Sequence, residues 1–340
     1  MPTPTEEASP TVHVAPWVWI VTVGVAVALL ALDVFYLGRR PHEPTAKEAG
    51  RALAFYIGFA VLFGLGVLAV SGPDYGGQFF AGWLTEYSLS IDNLFVFLII
   101  MTRLDVPRKY QPTALLVGIV LALVLRGVFI ALGAAAISEF SWIFYVFGLF
   151  LIVTGVKLAR DQGESQADFE ENRVVRWMRR VVPTSADYDG VRLITREGGR
   201  RVVTPMFIVL VALGTTDLLF ALDSIPAIYG LTQEPYLVLM ANIFALMGLR
   251  QLYFLIGGLL QRLVYLSIGL AILLGFIGVK LVLHALHKNE LPFINGGEHV
   301  LWAPDLPIWF SLLFIVGTLA VTTVASVVHD RRVHRTARSS

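Results

Sequence analysis

The chain contains no cysteine, which excludes disulfides, thiolate metal sites and thiol catalysis. Charge is scarce as well. Only 15% of residues are Asp, Glu, Lys or Arg, where a soluble globule carries about a quarter. The formal net charge is +1 and the arginines are scattered among loops, which argues against a nucleic-acid partner. The first apolar run, starting near Trp17, lacks the basic leader and the short apolar core of a secretory signal, so it is read as a retained span.

What is present is apolar. The hydrophobic share is 56% and the mean hydropathy +0.71. Runs of about 18 or more apolar residues recur, the signature of membrane-spanning helices. Nine spans fit: 17–37, 53–71, 78–101, 113–136, 140–159, 204–229, 235–258, 263–285 and 306–328. The fold class predicted is an all-α polytopic membrane protein of about nine transmembrane helices. Basic residues then set orientation. Arg39, Arg40, Lys47 and Arg51 follow the first span, Arg103, Arg108 and Lys109 the third, and Arg331, Arg332 and Arg335 the ninth. The intervening connections carry Asp74, Glu139 and Glu234 instead. This alternation predicts a multi-pass protein of the cytoplasmic membrane, N-terminus outside and C-terminus in the cytoplasm.

The chain divides into residues 1–77 (a tail and two peripheral spans), 78–159, 160–203, 204–285 and 286–340. Residues 160–203 mix acids such as Glu164 and Asp168 with arginines and are too few for a core. A solvated cytoplasmic loop with a surface helix is expected there. The 286–305 loop follows His284 and contains His287, Glu298 and His299, an exposed set not expected to bind metal.

The second and fourth of the larger segments are related. "TEYSLSIDN" at 85–93 matches "TDLLFALDS" at 216–224, an offset of 131 residues. "GIVLALVLRG" (118–127) aligns with "NIFALMGLRQ" (242–251), placing Arg126 opposite Arg250. "TGVKL" (154–158) aligns with "IGVKL" (277–281), placing Lys157 opposite Lys280. Each unit holds three spans. An odd number forces the second unit to enter from the opposite face, so 78–159 and 204–285 are predicted to be inverted three-helix repeats, an architecture of secondary transporters.

Charge within a span is costly and marks function by default. At about 100° per residue, Thr85 and Asp92 share one helix stripe, and Glu86 and Asn93 the next, with Ser90 beside them. Thr216 with Asp223, and Asp217 with Ser224, repeat the pattern. Pro226 and Gly214 are expected to loosen the second motif helix. Six residues rise about 9 Å, too far for Glu86 and Asp92 to ligate one ion from one helix. Inversion brings Glu86 to the depth of Asp223 and Asp92 to that of Asp217, so these cross-repeat pairs are predicted. Asn93, Ser224, Thr85, Ser90 and Thr216 would complete the oxygen shells. An all-oxygen site suits a hard divalent cation, Mn²⁺, Mg²⁺ or Ca²⁺, with no organic cofactor. Arg126 and Arg250 could compensate the carboxylates when the ion is absent. Lys157 and Lys280 are expected to snorkel to the interface, and Asp33 to reach it.

On "EYSLSIDNLFVF", "TDLLFALDSIPAI" and "NIFALMGLRQLYFLI", over about residues 50–328, the chain resembles the TerC family, associated with tellurium resistance, within the LysE-like transporter superfamily. The resemblance implies an inverted-repeat protein of seven to nine spans and, as in several members, efflux of Mn²⁺ or supply of metal to enzymes outside the cytoplasm. It places the acidic-motif residues on Glu86, Asp92 and Asn93 and on Asp217, Asp223 and Ser224. Relatives often carry a glutamate where this chain has Gly214. A carboxylate-lined site should repel tellurite, an oxyanion. The leading expectation is export of Mn²⁺ or a similar ion, with protons as the exchanged ion. The alternative is a non-transporting membrane partner that supplies metal to exported enzymes or acts in tellurite and metal stress. Partners are then the bilayer, the ion, and a homo-oligomer or exported metalloenzymes. A membrane aspartyl protease is disfavoured, since "LGTTD" does not supply the G-x-G-D signature, and no enzyme activity is expected.

Overall fold

The computed structural model describes residues 14–39, 45–140, 142–160, 182–185, 187–197, 200–256, 265–289, 291–292, 294–300, 302–304 and 306–339. The side chains of Asp33, Arg39, Asp92, Arg331, Arg332 and Arg335 lie outside the described residues, as do Arg40, Glu164 and Asp168 entirely. Among the described residues ten α-helices form the framework: α1 (Pro16–Arg39), α2 (Ala46–Ser71), α3 (Pro73–Arg103), α4 (Gln111–Glu139), α5 (Ile143–Arg160), α6 (Pro205–Tyr229), α7 (Pro235–Met247), α8 (Leu249–Ile256), α9 (Leu266–His287) and α10 (Ile308–Ser339). Eight stretches are long and apolar enough to cross a membrane, α7 and α8 together forming one of them over Pro235–Leu255. Pro16–Leu29 of α1 is a shorter apolar helix. The chain is an all-α polytopic membrane protein.

Local chemistry sets the helix boundaries. Thr45 caps α2 through a capping box. Its hydroxyl accepts from Glu48 N at 3.3 Å, and Glu48 Oε2 accepts from Thr45 N at 2.9 Å. A single residue, Gly72, joins α2 to α3, at φ 94°, a conformation that glycine adopts without a Cβ penalty. Proline opens α3, α6 and α7, where its missing N–H would have had no helical partner.

Contacts between helices give their relative directions. Gly82 lies against Ile228, while Leu94 and Phe97 share a core cluster with Val209 and Leu213, so α3 and α6 are antiparallel. In α4 and α6, Gly118 meets Leu213 and Gly133 meets Tyr229, so these two run parallel. Helices α5 and α9 are antiparallel and pack backbone to backbone. A Cβ on Gly148 would stand 2.8 Å from the Gly278 carbonyl, one on Gly278 2.7 Å from the Gly148 carbonyl, and one on Gly155 2.8 Å from the Ala271 carbonyl. Small residues permit this approach, and van der Waals packing is its reward in lipid.

Four expectations need correction. The seventh span is broken: α7 ends at Met247 and α8 begins at Leu249, with Gly248 between them. The sixth is continuous through Gly214 and Pro226. Gly214 serves close packing, since a Cβ there would come 2.5 Å from Leu121 Cδ2 of α4. Pro226 lies in the last turn, where its lost N–H removes one bond near a helix end. The 160–203 segment is more than a solvated loop. Strands β1 (Ile194–Glu197) and β2 (Arg200–Val203) form an antiparallel hairpin, and Tyr188 Oη donates to the Leu104 carbonyl at 2.6 Å. The surface helix expected at its start falls on residues outside those described. Lys280 does not only snorkel, because its Nζ donates to the buried Ser311 hydroxyl of α10 at 3.0 Å.

In the 286–305 loop, His287 Nδ1 lies 3.2 Å from the Ala303 carbonyl and His299 Nδ1 2.8 Å from the His287 carbonyl. The buried Asn289 gathers that loop, donating to the Ile294 and Glu298 carbonyls and accepting from Tyr145 Oη.

Candidate ion-binding site

The motif helices α3 and α6 meet in the middle of the bundle, and α4 and α7 pack against them there. Arg126 of α4 is completely buried at this crossing. Its Nη1 donates to Glu86 Oε2 of α3 at 2.7 Å. Its Nε and Nη2 donate to the two oxygens of Asp217 of α6, at 3.4 and 3.3 Å. The Asn93 amide satisfies its neighbours with oxygen toward Arg126, accepting from Nη2 at 3.2 Å and donating to the Leu89 carbonyl at 3.1 Å. Asn242 of α7 donates to Glu86 Oε2 at 3.1 Å. Glu86 is 0% and Asp217 2% exposed. Ions so placed persist only when paired and hydrogen-bonded, and the guanidinium fork supplies both.

Glu86 and Asp217 thus share one arginine, and Asp223 faces elsewhere. It is half-buried and accepts from Thr154 Oγ1 of α5 at 3.4 Å. The expected Glu86–Asp223 pair is replaced by Glu86 with its neighbour Ser224, whose hydroxyl lies against the Glu86 carboxylate. Asp223 lies on another face of α6, toward α5. On the other side it is Asn93 that joins Asp217 on Arg126. The Asp92 side chain, predicted to pair with Asp217, lies outside the described residues.

Thr85, Ser90 and Thr216 are buried. Arg126 stands between the carboxylates, whereas Arg250 is partly buried beyond the Gly248 break. Asn242 was passed over as a ligand, although a lone asparagine in an otherwise apolar stretch was a usable signal. Among the described residues, no three His, Cys, Asp or Glu side chains gather closely enough to hold a metal ion. Buried oxygens on these helices lack hydrogen-bond partners, among them Glu86 Oε1, Ser90 Oγ, Ser224 Oγ and Asn242 Oδ1. Buried acceptors without donors are expensive. A bound cation suits such a donor set.

Comparison with known proteins agrees on the class. An uncharacterized membrane protein of Mycobacterium tuberculosis is 48% identical over 312 residues, 91% of this chain and 78% of the relative. An uncharacterized membrane protein of Myxococcus xanthus is 38% identical over 317 residues, 93% and 94% of the two chains. Alx of Escherichia coli K12, named as a proposed membrane-bound redox modulator, is 34% identical over 327 residues, 93% and 97%. No solved structure matches the chain. The sequence pattern of the integral membrane protein TerC family matches residues 71–334, and the chain belongs to that family.

Proposed function

We propose that this TerC-family protein is a secondary transporter that exports a divalent cation, Mn²⁺ first among the candidates, through the buried Glu86–Arg126–Asp217 cluster. The observation that carries the reading is one guanidinium held between two carboxylates of matched motifs, on helices from both halves of the chain. A permanent positive charge in that position is what an ion-free carrier needs, because two bare carboxylates in a low-dielectric interior would repel each other. On arrival of a divalent ion, Arg126 gives up the carboxylates and the ion takes its place. Exchange for protons follows from the same groups, which can take up protons once the metal has left.

The helix pairings support the inverted-repeat reading. Shifting Gly148 and Gly155 by 123 residues gives Ala271 and Gly278. The contact of Gly148 with Gly278 then maps onto that of Ala271 with Gly155, and both occur. A two-fold axis in the membrane plane generates this reciprocity. The orientation with the N-terminus outside the cytoplasmic membrane belongs to the same proposal. The redox role in the name of Alx would need something other than thiol chemistry here, since the chain has no cysteine.

The test is Mn²⁺ flux by purified protein in liposomes. Uptake into inside-out vesicles that is abolished by Glu86→Gln and by Asp217→Asn, and slowed by collapse of the proton gradient, is the expected result. Flux unaffected by either substitution would sink the site. Absence of any flux in the wild type would favour metal supply to exported enzymes instead.

A further inference from the structure

The cluster carries an unanswered charge. With both carboxylates ionised, Glu86 and Asp217 contribute two negative charges against the one positive charge of Arg126, all three residues being buried. Among the described residues, Arg126 is the one cation bonded to either carboxylate. A net charge of minus one in such a place calls for a single positive counter-charge.

The oxygen atoms say where it belongs. Both oxygens of Asp217 are occupied by Arg126. On Glu86 the two are unequal. Oε2 takes both Arg126 and Asn242, while Oε1 is buried and accepts nothing. Asn242 commits its Nδ2 to Glu86, which fixes the amide and leaves Oδ1 without a donor. Ser224 Oγ lies against the same carboxylate without forming a hydrogen bond. Ser90 follows Glu86 by one helical turn, on the same face of α3, and its hydroxyl is likewise unpartnered. These four residues are at most 1% exposed.

We propose that a hard monovalent cation of the size of Na⁺ binds at Glu86 Oε1, Ser224 Oγ, Ser90 Oγ and Asn242 Oδ1 while Arg126 occupies the other side of the cluster. One carboxylate oxygen, one amide oxygen and two hydroxyls match the preference of a hard cation for oxygen, and the single charge brings the cluster to neutrality. A divalent ion at the same place would overshoot by one charge until Arg126 released Asp217. A proton on Oε1 would also balance the charge, but its single O–H could answer only one of the neighbouring oxygens, whereas a cation can be shared by all four. The proposal rests on reading the cluster as the transport site, and it adds Na⁺ as the ion that occupies the metal-free, deprotonated carrier.

The test uses the purified full-length protein in detergent, free of divalent metal. Melting temperature is followed against NaCl, KCl and choline chloride at constant ionic strength and at two pH values. Binding of ²²Na⁺ is counted on the same sample. A saturable, Na⁺-selective rise and about one Na⁺ per chain are expected, with displacement by Mn²⁺. The double variant Ser90→Ala, Ser224→Ala should bind Na⁺ at least tenfold more weakly while melting near the wild type in choline chloride. Equal responses to all three salts would overturn the proposal, as would a response to pH alone or unchanged binding in the double variant. Should that variant not fold, the wild-type salt comparison and the ²²Na⁺ count decide by themselves. Na⁺ binding without Mn²⁺ flux would remove the transport reading and leave the cation site standing.

Discussion

Arg126→Met is the sharpest perturbation of the cluster. Methionine keeps roughly the length of the side chain and removes the hydrogen bonds at 2.7, 3.3 and 3.4 Å. Two carboxylates, 0% and 2% exposed, then lose their counter-charge. Breaking a buried pair by removing one partner costs about 3–5 kcal/mol, most of it the penalty of the stranded charge. Removing all the charge together should cost far less. Arg126→Met combined with Glu86→Gln and Asp217→Asn is expected to recover most of the loss, to within about 1–3 kcal/mol for amide atoms left without partners. Mn²⁺ adds a second discrimination. In Arg126→Met both carboxylates are released to the metal, and Mn²⁺ at about 100 times its Kd should restore about 2.7 kcal/mol. The triple variant offers no carboxylate pair and should gain nothing. The assay is the unfolding free energy in mixed micelles, measured with and without Mn²⁺. An Arg126→Met protein as stable as the wild type, or a triple variant no better than the single, would refute the electrostatic account. Equal rescue of both by Mn²⁺ would place the metal elsewhere.

Two further outcomes follow from positions outside the arginine. Asp217→Asn should destabilise by about 1–3 kcal/mol, because the amide nitrogen cannot accept and leaves one of the two Arg126 N–H groups at this position without an acceptor, whereas Asp223→Asn, half-buried with one 3.4 Å contact to Thr154, should change stability by less than about 1 kcal/mol; chemical denaturation of the two variants compares them directly. Gly278→Val should abolish folded yield by size-exclusion chromatography, since its Cβ would stand 2.7 Å from a backbone carbonyl and 3.0 Å from the Ile152 nitrogen, while Gly214→Ala, which meets only the end of Leu121, should accumulate normally.

Hydropathy was enough to locate the helices because lipid penalises polar backbone and side chains alike, and the ends of α4 and α9 fall within about three residues of those of their apolar runs. It could not locate the Gly248 break, because a helix pair interrupted by one residue keeps an unbroken apolar composition. The site was legible in kind but not in arrangement. Glu86, Asp217 and Arg126 stand out as charges in spans, and the inverted-repeat reading sets Glu86 level with residues 223 and 224. Which of those two faces Glu86 depends on the rotation of α6 about its axis. That rotation is fixed by packing against α4 and α5, at Gly214, Gly133 and Thr154, and one sequence carries no periodic signal for it. Arg126 was identified as a counter-charge, yet its span from Glu86 across to Asp217 follows from the crossing of three helices rather than from any motif. Asn242 stands out as a lone amide in an apolar helix, but only the packing of α7 on α3 shows that it meets Glu86.

The seam between α5 and α9 has a mechanical meaning. Glycines of α5 meet carbonyl oxygens of α9 at two levels, Gly148 at Gly278 and Gly155 at Ala271, and Gly278 meets the Gly148 carbonyl in return, so the surfaces interlock like teeth. Sliding by one residue, a rise of about 1.5 Å, would drive side-chain atoms such as those of Ile152 and Val282 into opposing backbone. Shear along this contact is therefore closed to the molecule, and so is separation without loss of all its packing. What remains is tilting about the line where the helices touch. Any movement of one half of the bundle against the other must take that line as its fulcrum, with its largest displacement far from the seam.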